Sequence, residues 1–137
     1  MTCHDKNISN LGDAALYCDF GNEVNKEINS EVIKYFKSIK KKEIEGITNL
    51  TPSYNKLIIS FDLKLINFNS LKKVIENLNL GKIEKTENNK VKIPICCEKE
   101  FALDIKRLEK KLNISNEKIY EKFFSREYYC YMTGFIA

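Results

Sequence analysis

Five cysteines, a single histidine and a scatter of carboxylates limit the chemistry open to this chain. Cys3, Cys18, Cys96, Cys97 and Cys130 are odd in number and show no Cys-x-x-Cys spacing, which favours reduced thiols over a disulfide framework. The vicinal pair Cys96-Cys97 is the redox candidate. Alternation along a strand turns one thiol inward and the other outward, so packing explains the pair without reactivity. His4 leaves no partner for a His-based zinc site or for a His-activated Ser or Cys nucleophile, and no metal site is expected. Gly12, Gly21, Gly46, Gly81 and Gly134 are too dispersed to form a phosphate-cradling loop.

The remaining candidates are acids and aromatics near element ends. Asp13 has the chemistry to orient a substrate, but a Gly-Asp between two strands is more economically a turn. Pro52-Ser53-Tyr54 reads in two ways: a partner-docking loop that exposes an aromatic, or a strand connection whose tyrosine packs on the sheet. Asp104 either lines a pocket or complements a helix dipole, an effect of ~0.3–1 kcal/mol that needs no other reason. Phe123, Phe124, Tyr128, Tyr129, Tyr131 and Phe135 form an aromatic cluster with Arg126 as its one nearby cation. A nucleic-acid platform interleaves aromatics with basic residues, so a core or an interface between subunits is the better reading.

Apolar periodicity indicates the elements that would position these groups. Ile8 to Phe20 reads as two short strands turning at Gly12-Asp13. Asn22 is placed to cap a helix whose Val24, Ile28, Val32, Tyr35, Phe36 and Ile39 recur at three- and four-residue spacing, and the lysine run before Gly46 ends it. Strands are predicted over 47–50 and 57–62. Pro52 between them lacks an amide proton and belongs at an edge or turn. Asn69 or Ser70 is placed to cap a second helix carrying Leu71, Val74, Ile75 and Leu78, with Gly81 at its end. Two strands, a helix, two strands and a helix make an α+β sandwich of the ferredoxin-like kind over residues 1–81. Polar residues 82–90 read as a linker. Beyond it the pattern predicts a strand over 91–97, a helix opening at Asp104, a helix capped by Ser115 and a strand from Tyr128 into Met132.

A chain of 137 residues with 43% hydrophobic residues is long enough to bury a core without disulfides or metal. The net charge of +4 comes from lysines spread along the whole chain among acids, which describes a solvated surface rather than a nucleic-acid stripe. Apolar runs are only a few residues long, far short of the roughly 18 that span a bilayer, and no signal segment opens the chain. A cytoplasmic protein without membrane or nucleic-acid partners is expected.

Leu11-Gly12-Asp13-Ala14-Ala15-Leu16 with Phe20-Gly21, followed by Pro52-Ser53-Tyr54 ahead of an Ile-Ile-Ser-Phe-Asp strand, resembles the N-terminal domain of the 5-oxoprolinase B-subunit family. That family is also called allophanate hydrolase subunit 1 and includes a sporulation-kinase inhibitor. Ile93-Pro94-Ile95-Cys96, Glu100-Phe101, Asp104-Ile105, Glu117 and Tyr131 with Gly134-Phe135 resemble the start of its second domain. The resemblance runs in order along nearly the whole chain. It implies a small α/β domain followed by the first part of a cyclophilin-like, carboxyltransferase-related β-barrel over 91–137, with the rest of the barrel beyond Ala137. It also implies partners resembling the C and A subunits of the oxoprolinase complex, or self-association through an open strand edge. ATP and Mg²⁺ belong to the complex, which opens 5-oxoproline to glutamate. Asp104, Tyr131, Gly134 and Phe135 become pocket candidates, and Pro52, Ser53 and Tyr54 partner-interface candidates. Departures from the family pattern fall at Cys97-Glu98 in place of Tyr-Gly, Ala102-Leu103 in place of Gly-Pro, and Phe123 in place of a common His. The expected function is a B-subunit-like component that is inactive alone. The alternative is a binding module that inhibits a sensor histidine kinase.

Overall fold

The computed structural model describes residues 7–78, 80 and 90–134. They fall into two compact units, one formed by the N-terminal part together with 130–134, the other by 90–129. Of the expected linker 82–90, all but Lys90 lies outside the described residues.

In the first unit, β1 (Asn7–Asn10) and β2 (Ala15–Asp19) form an antiparallel hairpin, with Gly12 at φ 63° supplying the left-handed conformation its turn requires. Helix α1 follows over Lys26–Lys42. Its N-cap is Asn25 rather than the expected Asn22. The Asn25 side chain accepts the Ile28 N–H at 2.9 Å, and Val24, 54% exposed, lies outside the buried stripe. Glu43 closes the helix in the left-handed region, and Lys40, Lys41 and Lys42 fill its last turn, where cations complement the helix dipole.

Strands β3 (Ile47–Pro52) and β4 (Lys56–Phe61) form a second hairpin, and α2 (Phe68–Glu76) comes next. Asn67, two residues before the earlier of the expected caps, accepts the Ser70 N–H at 3.0 Å and sets the start of α2. The expected stop at Gly81 lies outside the described residues. The helix ends at Glu76, with Asn77 as its cap.

The sheet is antiparallel throughout, in the order β1-β2-β4-β3. Strands β2 and β3 therefore run the same way with β4 inserted between them, and α1 makes the crossover. Pro52 closes the edge strand β3, where its missing N–H is tolerated. Alternation sends Leu16 and Cys18 of β2 and Leu57, Ile59 and Phe61 of β4 to one face. There they meet Val32, Tyr35 and Ile39 of α1 and Leu71 and Ile75 of α2 in one buried cluster. The opposite face carries Tyr17 and Ile58, paired across β2 and β4 and only partly buried.

The second unit contains α3 (Ile105–Leu112) and α4 (Asn116–Phe124), which brings the described helices to four. Ser115 caps α4 as expected, its hydroxyl accepting the Lys118 N–H at 3.4 Å. Two expected strands are corrected. Residues 91–97 and 128–132 run without regular secondary structure, and Val91 and Ile93 are 77% and 76% exposed. An alternating sequence becomes a strand only when another strand satisfies its backbone, and none of the described strands pairs with either segment. The described residues thus form an α+β structure of one small antiparallel sheet and four helices.

Candidate functional site: a polar junction at one end of the sheet

The connection from β2 to α1 and the turn from β3 to β4 lie at the same end of the sheet. Asp19 and Lys56 face each other across the β2–β4 register, and the Lys56 ammonium donates to both Asp19 Oδ1 and the Gly21 carbonyl. The Gly21 N–H adds a bond of 2.8 Å to the same carboxylate oxygen. Hydrogen bonding from Lys56 holds the Asp19 carboxyl below its ordinary value of 3.8, opposed by partial burial and helped by the Gly21 amide.

Two buried asparagines complete the junction. Asn55, 4% exposed, donates its side-chain amide to the carbonyls of Gly21 at 3.0 Å and Glu23 at 3.2 Å, and its own backbone carbonyl accepts the Phe20 N–H at 3.1 Å. Its Oδ1 is buried without a hydrogen-bond partner. Asn29, 1% exposed on α1, directs its amide at the carbonyls of Ser53 (3.2 Å), Tyr54 (3.1 Å) and Tyr131 (2.9 Å). An amide nitrogen carries two hydrogens, so these three contacts share them. The helix, the hairpin turn and the returning segment 130–134 are thereby tied at one point.

Of the candidates read from sequence, the junction gathers Pro52, Ser53, Tyr54 and Tyr131. Pro52 ends β3, the Ser53 and Tyr54 carbonyls are held by Asn29, and the Tyr54 side chain projects at 41% exposure. Asp104 belongs to the second unit, where its exposed carboxylate pairs with Arg107 at 3.2 Å and makes no capping bond to α3. Gly134 is exposed at φ 87° with no atom within 4 Å of an added Cβ, and Phe135 lies outside the described residues. Asp13 is exposed in the β1–β2 turn. Cys96 is exposed and Cys97 partly buried, both as free thiols.

Sequence reasoning missed Asn29, Asn55 and the Asp19–Lys56 pair. Asn29 carried a signal: it stands three residues before Val32 in the buried stripe of α1, and a polar residue in that stripe has to find internal partners. Chemically, the junction orders backbone. Its carboxylate is locked in an ion pair and its amides do not titrate. Among the described residues no group of three His, Cys, Asp or Glu side chains is arranged to hold a metal ion. A second feature of this unit is an open groove of about 330 Å³ between α1 and β3, with Phe36, Ile39, Ile44, Ile47 and Leu50 as its apolar lining.

Comparison with known proteins adds what geometry alone does not. Residues 6–137 match the family described as carboxyltransferase domain, subdomains C and D. The chain belongs to this family. The 5-oxoprolinase B subunit of Bacillus subtilis (strain 168) is 28% identical over 140 residues, covering 93% of this chain and 58% of that protein. The family resemblance carried by Leu11 to Gly21 and Pro52 to Tyr54 is thus borne out. Among solved structures, the conserved uncharacterized protein PH0987 from Pyrococcus horikoshii gives a TM-score of 0.52 at 25% identity, covering 95% of this chain and 60% of that one. The crystal structure of TTHA0988 gives a TM-score of 0.63 at 21% identity over 78% of this chain and 21% of its own, a likeness of fold. This carboxyltransferase-domain chain spans 58% of the length of the curated relative it matches. None of its described helices is long and apolar enough to cross a membrane.

Proposed function

We propose that the chain is a B-subunit-like component of an ATP-dependent complex that opens 5-oxoproline to glutamate, and that it is inactive alone. The supporting observation is the match to the 5-oxoprolinase B subunit over 93% of the chain. In this reading the first unit is a ferredoxin-like sandwich whose fourth strand is supplied by the N-terminal β1, and residues 91–137 begin a cyclophilin-like barrel.

The chemistry agrees with a contributing rather than a self-sufficient role. A lactam is stabilised by resonance, and opening it requires an activated nucleophile or a phosphorylated oxygen held by preorganised charge. The junction offers neither: its carboxylate and ammonium are paired with each other, and the amide nitrogens of Asn29 and Asn55 are given to backbone carbonyls. Among the described residues the glycines do not build a phosphate-binding loop: Gly12, Gly21 and Gly46 sit in three separate connections. In this reading the nucleotide and its Mg²⁺ are held by the partner subunits.

The junction's role is then to present a docking loop. Asn29 fixes the backbone of Ser53 and Tyr54 and leaves the Tyr54 ring exposed, a rigid aromatic anchor for a C-subunit-like or A-subunit-like protein in the cytoplasm. Co-expression of this chain with the two partner types, followed by affinity capture, tests the reading. A stable complex that Tyr54→Ala weakens by about tenfold supports it, and no association with either partner refutes it.

A further inference from the structure

Three carbonyls from two distant stretches of chain converge on one buried amide. Asn29 lies near the capped start of α1, where its own N–H is bonded to the Asn25 carbonyl at 3.1 Å, so the helix fixes its backbone. Its side-chain nitrogen stands 3.2 Å from the Ser53 carbonyl, 3.1 Å from that of Tyr54 and 2.9 Å from that of Tyr131. Carbonyl oxygens repel the amide oxygen, and three of them together decide that the nitrogen is the end that faces them.

The two stretches differ in how they are held. Ser53 and Tyr54 are consecutive residues of the β3–β4 turn, which the Ser53 N–H closes on the Lys56 carbonyl at 2.8 Å. Tyr131 belongs to segment 130–134, which has no regular secondary structure and is exposed at Met132, Thr133 and Gly134. No helix or strand ladder holds that segment in register, so side-chain bonds such as that from Asn29 position it.

We propose that Asn29 is a positioning residue that couples a partner docked on the Tyr54 turn to the seating of Tyr131. The inference rests on the docking role proposed above and adds its regulation. The amide nitrogen carries two hydrogens that diverge in the amide plane. The neighbouring carbonyls of Ser53 and Tyr54 share one, and the Tyr131 carbonyl, at the shortest distance, takes the other. An amide held on both sides cannot rotate without breaking both ties. A partner that immobilises the backbone of the turn therefore holds the amide in the plane in which its second hydrogen meets Tyr131. The segment carrying the pocket candidates Tyr131 and Gly134 is ordered by an event at the turn, with no partner atom touching it. Such coupling is reciprocal, so seating Tyr131 also tightens the turn.

The test uses the full chain labelled with ¹⁵N. In the free wild type, backbone order parameters at Ser53, Tyr54, Tyr131 and Met132 are expected at about 0.85, and in Asn29→Ala both pairs are expected to fall below about 0.6 while Ile59 of β4 keeps its value. Asn29→Ser, too short to span both sides, is expected to give the same result and serves if the alanine variant does not fold. Each of the two partner types is then titrated in. Docking is expected to shift the amide resonances of the turn and of Tyr131 and Met132 with one midpoint in the wild type, and those of the turn alone in the variant. Four results overturn the proposal: a wild-type segment already flexible, a variant that loosens one stretch or neither, docking that moves the wild-type turn but not Tyr131 and Met132, or docking that moves them equally in the variant. If neither partner binds, the docking role fails, while the free-chain order parameters still decide whether Asn29 ties the two stretches together.

Discussion

Asn29 and Tyr131 stand 102 residues apart in the chain and are joined by a hydrogen bond of 2.9 Å from the Asn29 amide to the Tyr131 carbonyl. The same amide serves Ser53 and Tyr54, so one buried side chain sets the relative positions of a helix, a hairpin turn and a segment that returns from far along the sequence. Removing it leaves three carbonyls short of a donor. Asn29→Ala is expected to destabilise the fold by about 1–3 kcal/mol, read from the urea unfolding midpoint. A change below about 0.5 kcal/mol would show that water replaces the amide without loss.

Ile59 occupies the centre of the buried sheet face, opposite Leu16 on β2 and Leu50 on β3, and is fully buried. Ile59→Ala should therefore cost about 2–5 kcal/mol. Ile58, between Tyr17 and Thr51 on the other face, is only partly buried, and its alanine variant should cost less than half as much. Equal losses at the two positions would mean that the second face is packed as tightly as the first.

Asp19 predicts a pH dependence whose sign follows from its surroundings. Hydrogen bonds from Lys56 and from the Gly21 amide outweigh partial burial and hold the folded-state pKa below 3.8. Such a group contributes its full stabilisation above its unfolded value, and the contribution is lost as pH falls through the lower folded value. Wild type should therefore exceed Asp19→Asn in stability by a constant margin at neutral pH. That margin should shrink as the pH drops below 3.8. Thermal unfolding of both proteins across acid pH measures it, and a margin that widened toward low pH would reverse the assignment.

Periodicity made most of the first unit legible. The stripes of α1 and α2, the alternation of β4 and the edge position implied by Pro52 all rest on local rules: side chains repeat every 3.6 or two residues, and proline lacks a donor. The helix starts were displaced because several asparagines compete for each cap, and the winner is decided by which side chain reaches the N–H three residues on. For α1 it is Asn25, and for α2 it is Asn67. The segments 91–97 and 128–132 have strand-like sequences, but strand formation depends on a pairing partner that sequence pattern does not supply.

The junction was half legible. Pro52-Ser53-Tyr54 and Tyr131 stood out by resemblance, but their convergence on Asn29 is a long-range contact that no local spacing encodes. The ion pair of Asp19 and Lys56 depends in the same way on the β2–β4 register, which is set by the core face of both strands rather than by the charged residues themselves.

That this chain contributes to the ATP-dependent opening of 5-oxoproline, and does not perform it unaided, is tested by measuring glutamate release from 5-oxoproline with ATP and Mg²⁺. The purified chain is assayed by itself, then joined to the remainder of the Bacillus subtilis B subunit and mixed with A-subunit-like and C-subunit-like proteins. The expected result is no release from the isolated chain and ATP-dependent release from the full mixture, lost when this chain is left out. Robust turnover by the isolated chain, or a mixture equally active without it, would contradict the proposed role.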